Sequence, residues 1–231
     1  MTSFGSRIAA SSRKVDNSKR GKAAKIEIRR RIMSELAKTG PVAVFEGFAG
    51  AGRMHRDAWT DADEYVGCDL KWYPDKRLAY VCDNRVLLRA IDLHKFNLFD
   101  FDAYGNPYEQ LDILSARRKA ATGEHVGLIV TDGMAKATRL NSQPHAFKKL
   151  AGLAKDARMP DAYHQLDSMR RTAIEEVARR MHAELLMMIQ HIGKTASKMA
   201  YIGVVLRGIS DAAEHAAGSG SRSAGTSAGR A

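Results

Sequence analysis

The chain has 231 residues, of which 45% are hydrophobic, so it is long enough to bury one sizeable core. Its formal net charge of +11 favours a polyanionic partner such as nucleic acid. The two cysteines lie in apolar, strand-like runs and lack the paired Cys/His spacing of a zinc site, which predicts a buried, reduced pair. Because no apolar run of about 18 residues is present, we expect a cytoplasmic protein with no membrane span.

The two ends differ in composition from the middle. We predict a flexible basic arm over residues 1–20, one folded domain over residues 21–210, and a disordered Gly/Ser/Ala tail over residues 211–231. Residues 19–40 predict a helix with a cationic surface that stops at Gly40 and Pro41. A charge run of this kind is usually a solvated face.

Strand and helix patterns alternate through the middle of the chain. Residues 107–122, opened by Pro107, predict a helix, and apolar residues recurring every three or four positions from Leu166 to Ile192 predict one long helix after a polar, basic stretch at 133–160. The alternation predicts an α/β fold with a mostly parallel sheet and helices on both faces. The predicted strands cover residues 42–48, 65–70, 78–83, 96–101, 126–131 and 199–209.

A glycine-rich loop, EGFAGAG, follows the first predicted strand. Its glycines allow a ligand to approach the backbone closely. A dinucleotide fingerprint starting at Gly50 would need glycine at position 55, where the chain has His55. The remaining pattern, E-x-x-x-G-x-G, has the form of the S-adenosylmethionine loop of class I methyltransferases, where the acid meets the methionine end of the cofactor. The predicted cofactor-binding residues here are Glu46, Gly47, Phe48, Ala49, Gly50 and Gly52.

The ends of the second and third strands carry further candidates. Asp69 lies nineteen positions after Gly50, which suits a carboxylate that accepts hydrogen bonds from ribose hydroxyls, and Leu70 follows it. The alternative for Asp69 is a helix N-cap or a turn acid. Asp83 and Asn84 end the third strand, where class I methyltransferases contact the adenine edge. The alternative for Asp83 is a helix N-cap.

The fourth strand ends in FDFDAYGNPYEQL, with carboxylates at the edge where open α/β sheets hold their ligands. Together with EGFAGAGR, GCDL, CDNRVLL and GLIVTDG, this stretch resembles the catalytic domain of the tRNA guanine-N2 dimethyltransferase family over roughly residues 42–132. The family's fourth motif is D-x-D-P-F-G-S-P. Asp100, Asp102, Gly105 and Pro107 match it, Ala103, Tyr104 and Asn106 replace its Pro, Phe and Ser, and Thr131 and Asp132 fit the Thr-Asp of the next strand.

The resemblance implies a class I fold with a seven-stranded mixed sheet, S-adenosylmethionine as cofactor, and methylation of an exocyclic amino group of a nucleic-acid base. The implied base is guanine-like at N2, with RNA as the favoured polymer and no metal required. Asp102 is the candidate carboxylate that accepts a hydrogen bond from an N–H of the target amine. Asp100 either shares that work or anchors the methionine amine or the loop. Tyr104 either stacks on the base or packs against the sheet.

Further residues are candidates for substrate binding. Asn106, Pro107, Lys136 and Arg139 are predicted to contact substrate, and the basic arm with Lys148, Lys149, Lys155 and Arg158 is predicted to contact phosphates.

Two alternatives remain open at this point, and a third, a small-molecule methyltransferase, is less favoured because of the net charge. The sequence NPY at 106–108 is a shortened form of the N-P-P-Y motif of DNA adenine or cytosine amino methyltransferases. A noncatalytic cofactor-binding or scaffold protein is the other alternative, and Ala103 in place of the motif's proline is the observation that favours it.

Overall fold

The computed structural model describes residues 19–103, 105–139, 142–157, 162–193 and 199–210. Two short helical turns, His55–Trp59 and Leu93–Lys95, supplement the regular elements. The helices are α1 (Lys19–Leu36), α2 (Asn84–Ala90), α3 (Tyr108–Arg117), α4 (Met134–Arg139), α5 (His145–Leu150) and α6 (Ala162–Arg180). The strands are β1 (Ala43–Glu46), β2 (Glu64–Asp69), β3 (Ala79–Val81), β4 (Leu98–Phe101), β5 (His125–Asp132), β6 (Ala183–Ile192) and β7 (Ala200–Gly208).

The strands form one seven-stranded sheet in the order β3-β2-β1-β4-β5-β7-β6. Strands β1 to β5 pair in parallel, and β7 lies antiparallel to both β5 and β6. The predicted α/β fold with a seven-stranded mixed sheet is confirmed. This order brings the carboxyl ends of β1, β2, β4 and β5 to one edge, where the sequence concentrates its acids and glycines.

The sheet is covered differently on its two faces. Helices α2, α3, α5 and α6 pack over one face, around Phe99, Phe101 and Leu128. On the other face, α1 packs a stripe of Ala24, Ile28, Ile32 and Leu36 against β1, β4, β5 and β7. The helix lies very close to the sheet: a Cβ at Gly203 would come within 2.7 Å of Ile28, and one at Gly127 within 2.8 Å of Ile32. This close packing fixes the position of the polar residues beside the stripe.

The predicted long helix from Leu166 to Ile192 is wrong in its second half. Helix α6 ends at Arg180, His182 adopts a left-handed conformation with φ of 55°, and the chain then continues as β6. Strand β6 pairs with β7 along its length and has an irregularity between Leu185 and Met187. An apolar run such as LLMMI fits a helix stripe and a strand equally well, and here pairing with β7 determines the structure.

The other predicted elements lie close to their predicted positions, whereas α4 and α5 fall within the stretch 133–160, for which no element was predicted. The helix predicted for 107–122 begins at Tyr108 and ends at Arg117. Cys68 is buried, and its Sγ lies 3.8 Å from that of Cys82 with both thiols free. Residues 1–18 and 211–231, which include nearly all of the predicted arm and the whole predicted tail, lie outside the described residues. Within the described ranges, none of the helices is both long and apolar enough to cross a membrane.

Candidate functional site

Three carboxylates lie together at the carboxyl edge of the sheet, on the face covered by α1. Glu46 at the end of β1 pairs in register with Asp100 of β4, and Asp102 follows two residues later. Because side chains alternate along a strand, Asp100 and Asp102 point to the same face. Two cations of α1, Lys25 and Arg29, face these acids.

Asp100 is held by a buried ion pair. Its two oxygens accept hydrogen bonds from Arg29 Nε at 2.7 Å and Nη2 at 2.8 Å, and Trp59 Nε1 lies 3.3 Å from the same carboxylate. The Arg29 side chain is 1% exposed and that of Asp100 is 0% exposed. Asp100 therefore anchors α1 to the sheet. Its predicted contact with the cofactor must be corrected, because its oxygens are enclosed by protein groups.

Asp102, two residues after Asp100, lies nearer the carboxyl edge of the sheet and is partly accessible to solvent. Both of its oxygens accept hydrogen bonds from Lys25 Nζ, at 2.8 and 2.9 Å, and Arg29 Nη2 lies 3.4 Å away. The Lys25 ammonium also lies 5.3 Å from the ring centre of Tyr201. Burial alone would raise the pKa of Asp102, but Arg29 and Lys25 outweigh it and hold that pKa below its ordinary value. Asp102 is thus ionised at neutral pH.

Glu46 differs from Asp102 in its charge state. It is buried, and its Oε2 accepts a hydrogen bond from the Tyr65 hydroxyl at 2.5 Å. Burial, with the nearby charge of Asp100, raises the pKa of Glu46 to about 8, although Tyr65 and Arg29 oppose the shift. At neutral pH the Glu46 carboxyl is therefore mostly protonated.

The glycine loop runs from this acid cluster to β2. Gly50 and Gly52 adopt φ of 45° and 71°, a region that favours glycine, and the Gly50 N–H donates to Asp69 Oδ2 at 2.9 Å. The Gly47 N–H donates to the Asp100 carbonyl at 2.8 Å, and a Cβ at Gly47 would lie 2.9 Å from the Phe101 ring. Ala49 is buried and Phe48 half-buried. The loop is thus folded tightly onto the ends of β2 and β4.

Arg77, a residue that the sequence analysis did not single out, holds this loop from outside. Its guanidinium donates to the Gly50 carbonyl at 2.7 Å and the Ala49 carbonyl at 3.2 Å, while Asp75 pairs with it at 2.6 Å. A cavity of about 60 Å³ lies beside it and is lined in part by Gly50, Asp69 and Arg77. Ligand pockets usually have about 300–1,000 Å³. This cavity is smaller than the usual ligand pocket.

The residues predicted to contact the ribose and the adenine, Asp69, Leu70 and Asp83, lie in different surroundings. Asp69 is half-buried beside the cavity, and it also accepts from the Lys71 N–H at 2.9 Å; Leu70 next to it is 74% exposed. Asp83 is the N-cap of α2, accepting from the Arg85 N–H at 2.9 Å, as the alternative prediction had it.

Asn84 does not face a ligand. It is buried, and it donates to the Gly47 carbonyl at 2.6 Å while accepting from Gln110 Nε2 at 2.9 Å. Its predicted contact with the adenine edge must be corrected, because both ends of its amide are used inside the protein. Asn84 supports the glycine loop from beneath.

The remaining motif residues lie beyond Asp102. Tyr104 falls outside the described residues. Asn106 is half-buried and Pro107 buried, directly before α3. Asp132 lies on the opposite face of the sheet from Asp102, where the Tyr108 hydroxyl donates to it at 2.9 Å and Arg170 Nε at 2.6 Å. It stabilises the packing of α3 and α6.

The predicted basic contacts can be followed only in part. The side chains of Lys136 and Arg139, on α4, and the whole of Arg158 lie outside the described residues. Lys148 donates to the carbonyls of Lys155 and Ala157, and Lys149 forms an ion pair with Asp112 at 2.8 Å. Lys155 is exposed.

Sequence reasoning treated the charges of α1 as a solvated face and so missed Lys25 and Arg29. The signal was present, because these residues are four positions apart and each directly follows a member of the Ala24, Ile28, Ile32 stripe. Such residues lie at the border of the buried face, where they can reach the ends of strands.

No protein-family model and no curated protein matches the sequence. Among solved structures, the chain is similar to Trm1 from Pyrococcus horikoshii in complex with S-adenosyl-L-methionine, with a TM-score of 0.51 and 16% identity; the match covers 81% of this chain and 56% of that chain. The chain has the class I methyltransferase fold. It spans little more than half the length of that Trm1 protein.

Two other solved structures match less closely. The N-methyltransferase NodS from Bradyrhizobium japonicum, in complex with S-adenosyl-L-homocysteine, has a TM-score of 0.47 and 13% identity, with 84% of this chain and 89% of that chain covered. Trm5b from Pyrococcus abyssi has a TM-score of 0.41 and 14% identity, with 77% of this chain and 47% of that chain covered.

Proposed function

We propose that this protein is an S-adenosylmethionine-dependent methyltransferase that acts on an exocyclic amino group of a nucleic-acid base. The observation that carries the proposal is the ionised, partly accessible Asp102 at the carboxyl edge of a class I methyltransferase fold, beside the glycine loop. The sequence motif around Asp102, the net charge of +11 and the alternation of strands and helices support it.

The chemistry uses groups that the site offers. The lone pair of an exocyclic amine is delocalised into its ring, so a carboxylate that accepts a hydrogen bond from one of its N–H groups increases the electron density on nitrogen. Asp102 is the proposed acceptor. When bound, S-adenosylmethionine would supply the methyl group in line with that nitrogen and leave as the neutral thioether, and Asp102 would take up the proton that the amine loses. Positioning and electrostatics would supply most of the catalysis.

The cofactor has a proposed place along the glycine loop. Glu46 lies where the positively charged methionine end would be bound, and Asp69 where the ribose hydroxyls would be. The backbone of Gly47, Phe48, Ala49, Gly50 and Gly52 would pass beneath it. Arg77 would hold this loop in place through the carbonyls of Ala49 and Gly50.

A radiolabelled methyl-transfer assay tests this proposal. The protein with S-adenosylmethionine is given mixed single-stranded RNA, mixed single-stranded DNA, or no polymer. Label in RNA supports the favoured substrate, and label in DNA supports the DNA amino-methyltransferase alternative. Cofactor binding by calorimetry with no transfer to either polymer would contradict the proposal and favour the noncatalytic alternative.

A further inference from the structure

Asp102 and three neighbouring charged groups, Lys25, Arg29 and Asp100, form two ion pairs that differ in their exposure to solvent. Arg29 and Asp100 are closed off from solvent, whereas the side chains of Lys25 and Asp102 are each 15% exposed. A bound molecule can therefore touch the Lys25–Asp102 pair and cannot touch the Arg29–Asp100 pair without unfolding the site. The outer pair presents one cationic donor and one anionic acceptor side by side.

Both members of the outer pair keep hydrogen-bonding capacity. An ammonium has three N–H donors, and Asp102 accepts from Lys25 at two short distances, 2.8 and 2.9 Å. A carboxylate has about four lone-pair positions. Lys25 occupies two of them and Arg29 Nη2, 3.4 Å away, lies near a third, so Asp102 can accept one further hydrogen bond. The pair has no net charge, and a neutral planar ligand can bind it without leaving a buried charge uncompensated.

The arrangement is complementary to the edge of an amino base. Adenine, cytosine and guanine each carry an amino group on a carbon that also bears a ring nitrogen with a free lone pair. The amino group donates, and the neighbouring ring nitrogen accepts. An acceptor next to a donor at hydrogen-bond distance is the matching pattern.

We propose that Lys25 is a substrate-binding residue which donates a hydrogen bond to the ring nitrogen next to the target amine, while Asp102 accepts from the amine itself. This inference rests on the proposed function, because it assumes that the substrate is an amino base. Lys25 thereby sets which edge of the base faces the methyl donor. This role also explains why Lys25 of α1 lies against Asp102, the candidate catalytic carboxylate.

Single-stranded RNA and DNA oligonucleotides with one target base test this role. Each is compared with its deaza analogue, in which CH replaces the ring nitrogen next to the amino group. For the wild-type protein, the analogue should lower kcat/KM roughly ten- to hundredfold, as expected for loss of a hydrogen bond to a charged group. Lys25→Met should lower kcat/KM on the parent base by a similar factor and make the enzyme insensitive to the deaza change. Lys25→Arg keeps a donor and should retain part of that sensitivity.

Lys22→Met is the matched control. Lys22 lies on the same helix and forms an ion pair with Asp57 at the same distance, 2.8 Å, but it is 53% exposed. It should leave both kcat/KM and the deaza ratio unchanged. Binding of S-adenosylhomocysteine, measured by calorimetry, should be the same in all three variants and shows that the site is folded.

The possible failures are distinguishable. A Lys25→Met enzyme that still distinguishes the parent base from its deaza analogue as strongly as wild type overturns the role of Lys25 and leaves the proposed function standing. A wild-type enzyme that methylates the parent base and its deaza analogue equally well also overturns the role of Lys25 and leaves the proposed function standing. A wild-type protein that binds cofactor and methylates no base overturns the proposed function, and this inference with it.

Discussion

Arg29 of α1 and Asp100 of β4 form a two-point ion pair, with N–O distances of 2.7 and 2.8 Å, that is closed off from solvent. Trp59 donates to the same carboxylate at 3.3 Å. The pair joins the helix that precedes the sheet to the strand that carries the candidate catalytic residue. Through it, the position of α1 determines where Lys25 meets Asp102.

Removal of Arg29 should therefore destabilise the whole fold. Arg29→Met leaves the Asp100 carboxylate buried without its partner, a change that typically costs about 3–5 kcal/mol. Chemical denaturation gives the free energy of unfolding. Arg31→Met, two residues along on the exposed side of α1, should change it by less than about 0.5 kcal/mol. Equal effects of the two variants would mean that the buried pair does not anchor the helix.

Glu46 should make cofactor binding depend on pH. Burial raises the pKa of Glu46 to about 8 in the free protein. A bound sulfonium and ammonium favour the ionised carboxylate, so binding lowers this pKa and releases a proton below pH 8. The affinity for S-adenosylmethionine should therefore rise as the pH increases towards about 8 and level off above it.

Calorimetry in buffers of different ionisation enthalpy measures the released proton directly. Glu46→Gln cannot ionise and should abolish both the proton release and the rise in affinity. S-adenosylhomocysteine, which lacks the sulfonium charge, should show a weaker pH dependence in the wild-type protein. If affinity is flat through pH 8 for both ligands, Glu46 does not meet the methionine end.

The sequence was sufficient to predict most of the sheet and the loops at its carboxyl edge. Strand ends, glycines and acids are local signals, because each is written in a few consecutive residues. The burial and the ion-pair partner of each acid were harder to predict. Asp100 and Asp102 look equivalent in the sequence, and what separates them is Arg29, which is 71 positions away from Asp100 in the chain. Contacts of that range depend on how α1 packs, which a single sequence does not reveal.

The error at β6 has a similar origin. Met181, Leu185 and Met188 continue the helical spacing of α6, so local periodicity favours one helix. Strand formation by residues 183–192 is determined by β7, because every β7 residue from Gly208 back to Ala200 pairs with β6. Tertiary pairing of this kind overrides local preference.

Asp69 should hold the ribose of the cofactor. Asp69→Ala is expected to weaken S-adenosylmethionine binding by about 1.5–3 kcal/mol, the range for a hydrogen bond to a charged group. Because Asp69 also accepts from the Gly50 N–H, the variant loosens the loop as well, so an analogue whose ribose lacks both hydroxyls is needed. The wild-type protein should bind this analogue more weakly than the normal cofactor, and Asp69→Ala should bind the two alike. A variant that still prefers the normal ribose would remove the assignment.

Binding to nucleic acid should fall steeply with salt if basic side chains contact phosphates. Each contact that is lost should reduce the slope of log Kobs against log salt by about 0.7–0.9. Lys155→Ala removes an exposed charge of the basic stretch and should show this reduction. Lys149→Ala is the comparison, because Lys149 is already paired with Asp112 and should change the slope less. A slope near zero for the wild-type protein would make these lysines ordinary surface charges.

Asp102→Asn should separate catalysis from cofactor binding. The asparagine has nearly the same shape and keeps an oxygen for Lys25, but it lacks the charge that draws electron density onto the target amine. We expect unchanged affinity for S-adenosylmethionine and a methyl-transfer rate lowered about a hundredfold or more, the scale of a lost acid–base group. Asp57→Asn removes the acid of the turn His55–Trp59 that pairs with Lys22 of α1, and it should leave the rate unchanged. Asp100→Asn should instead lower the free energy of unfolding, because it weakens the buried pair with Arg29. If Asp102→Asn methylates normally while a stably folded Asp100→Asn does not, the catalytic carboxylate is Asp100, and the buried pair must open during the reaction.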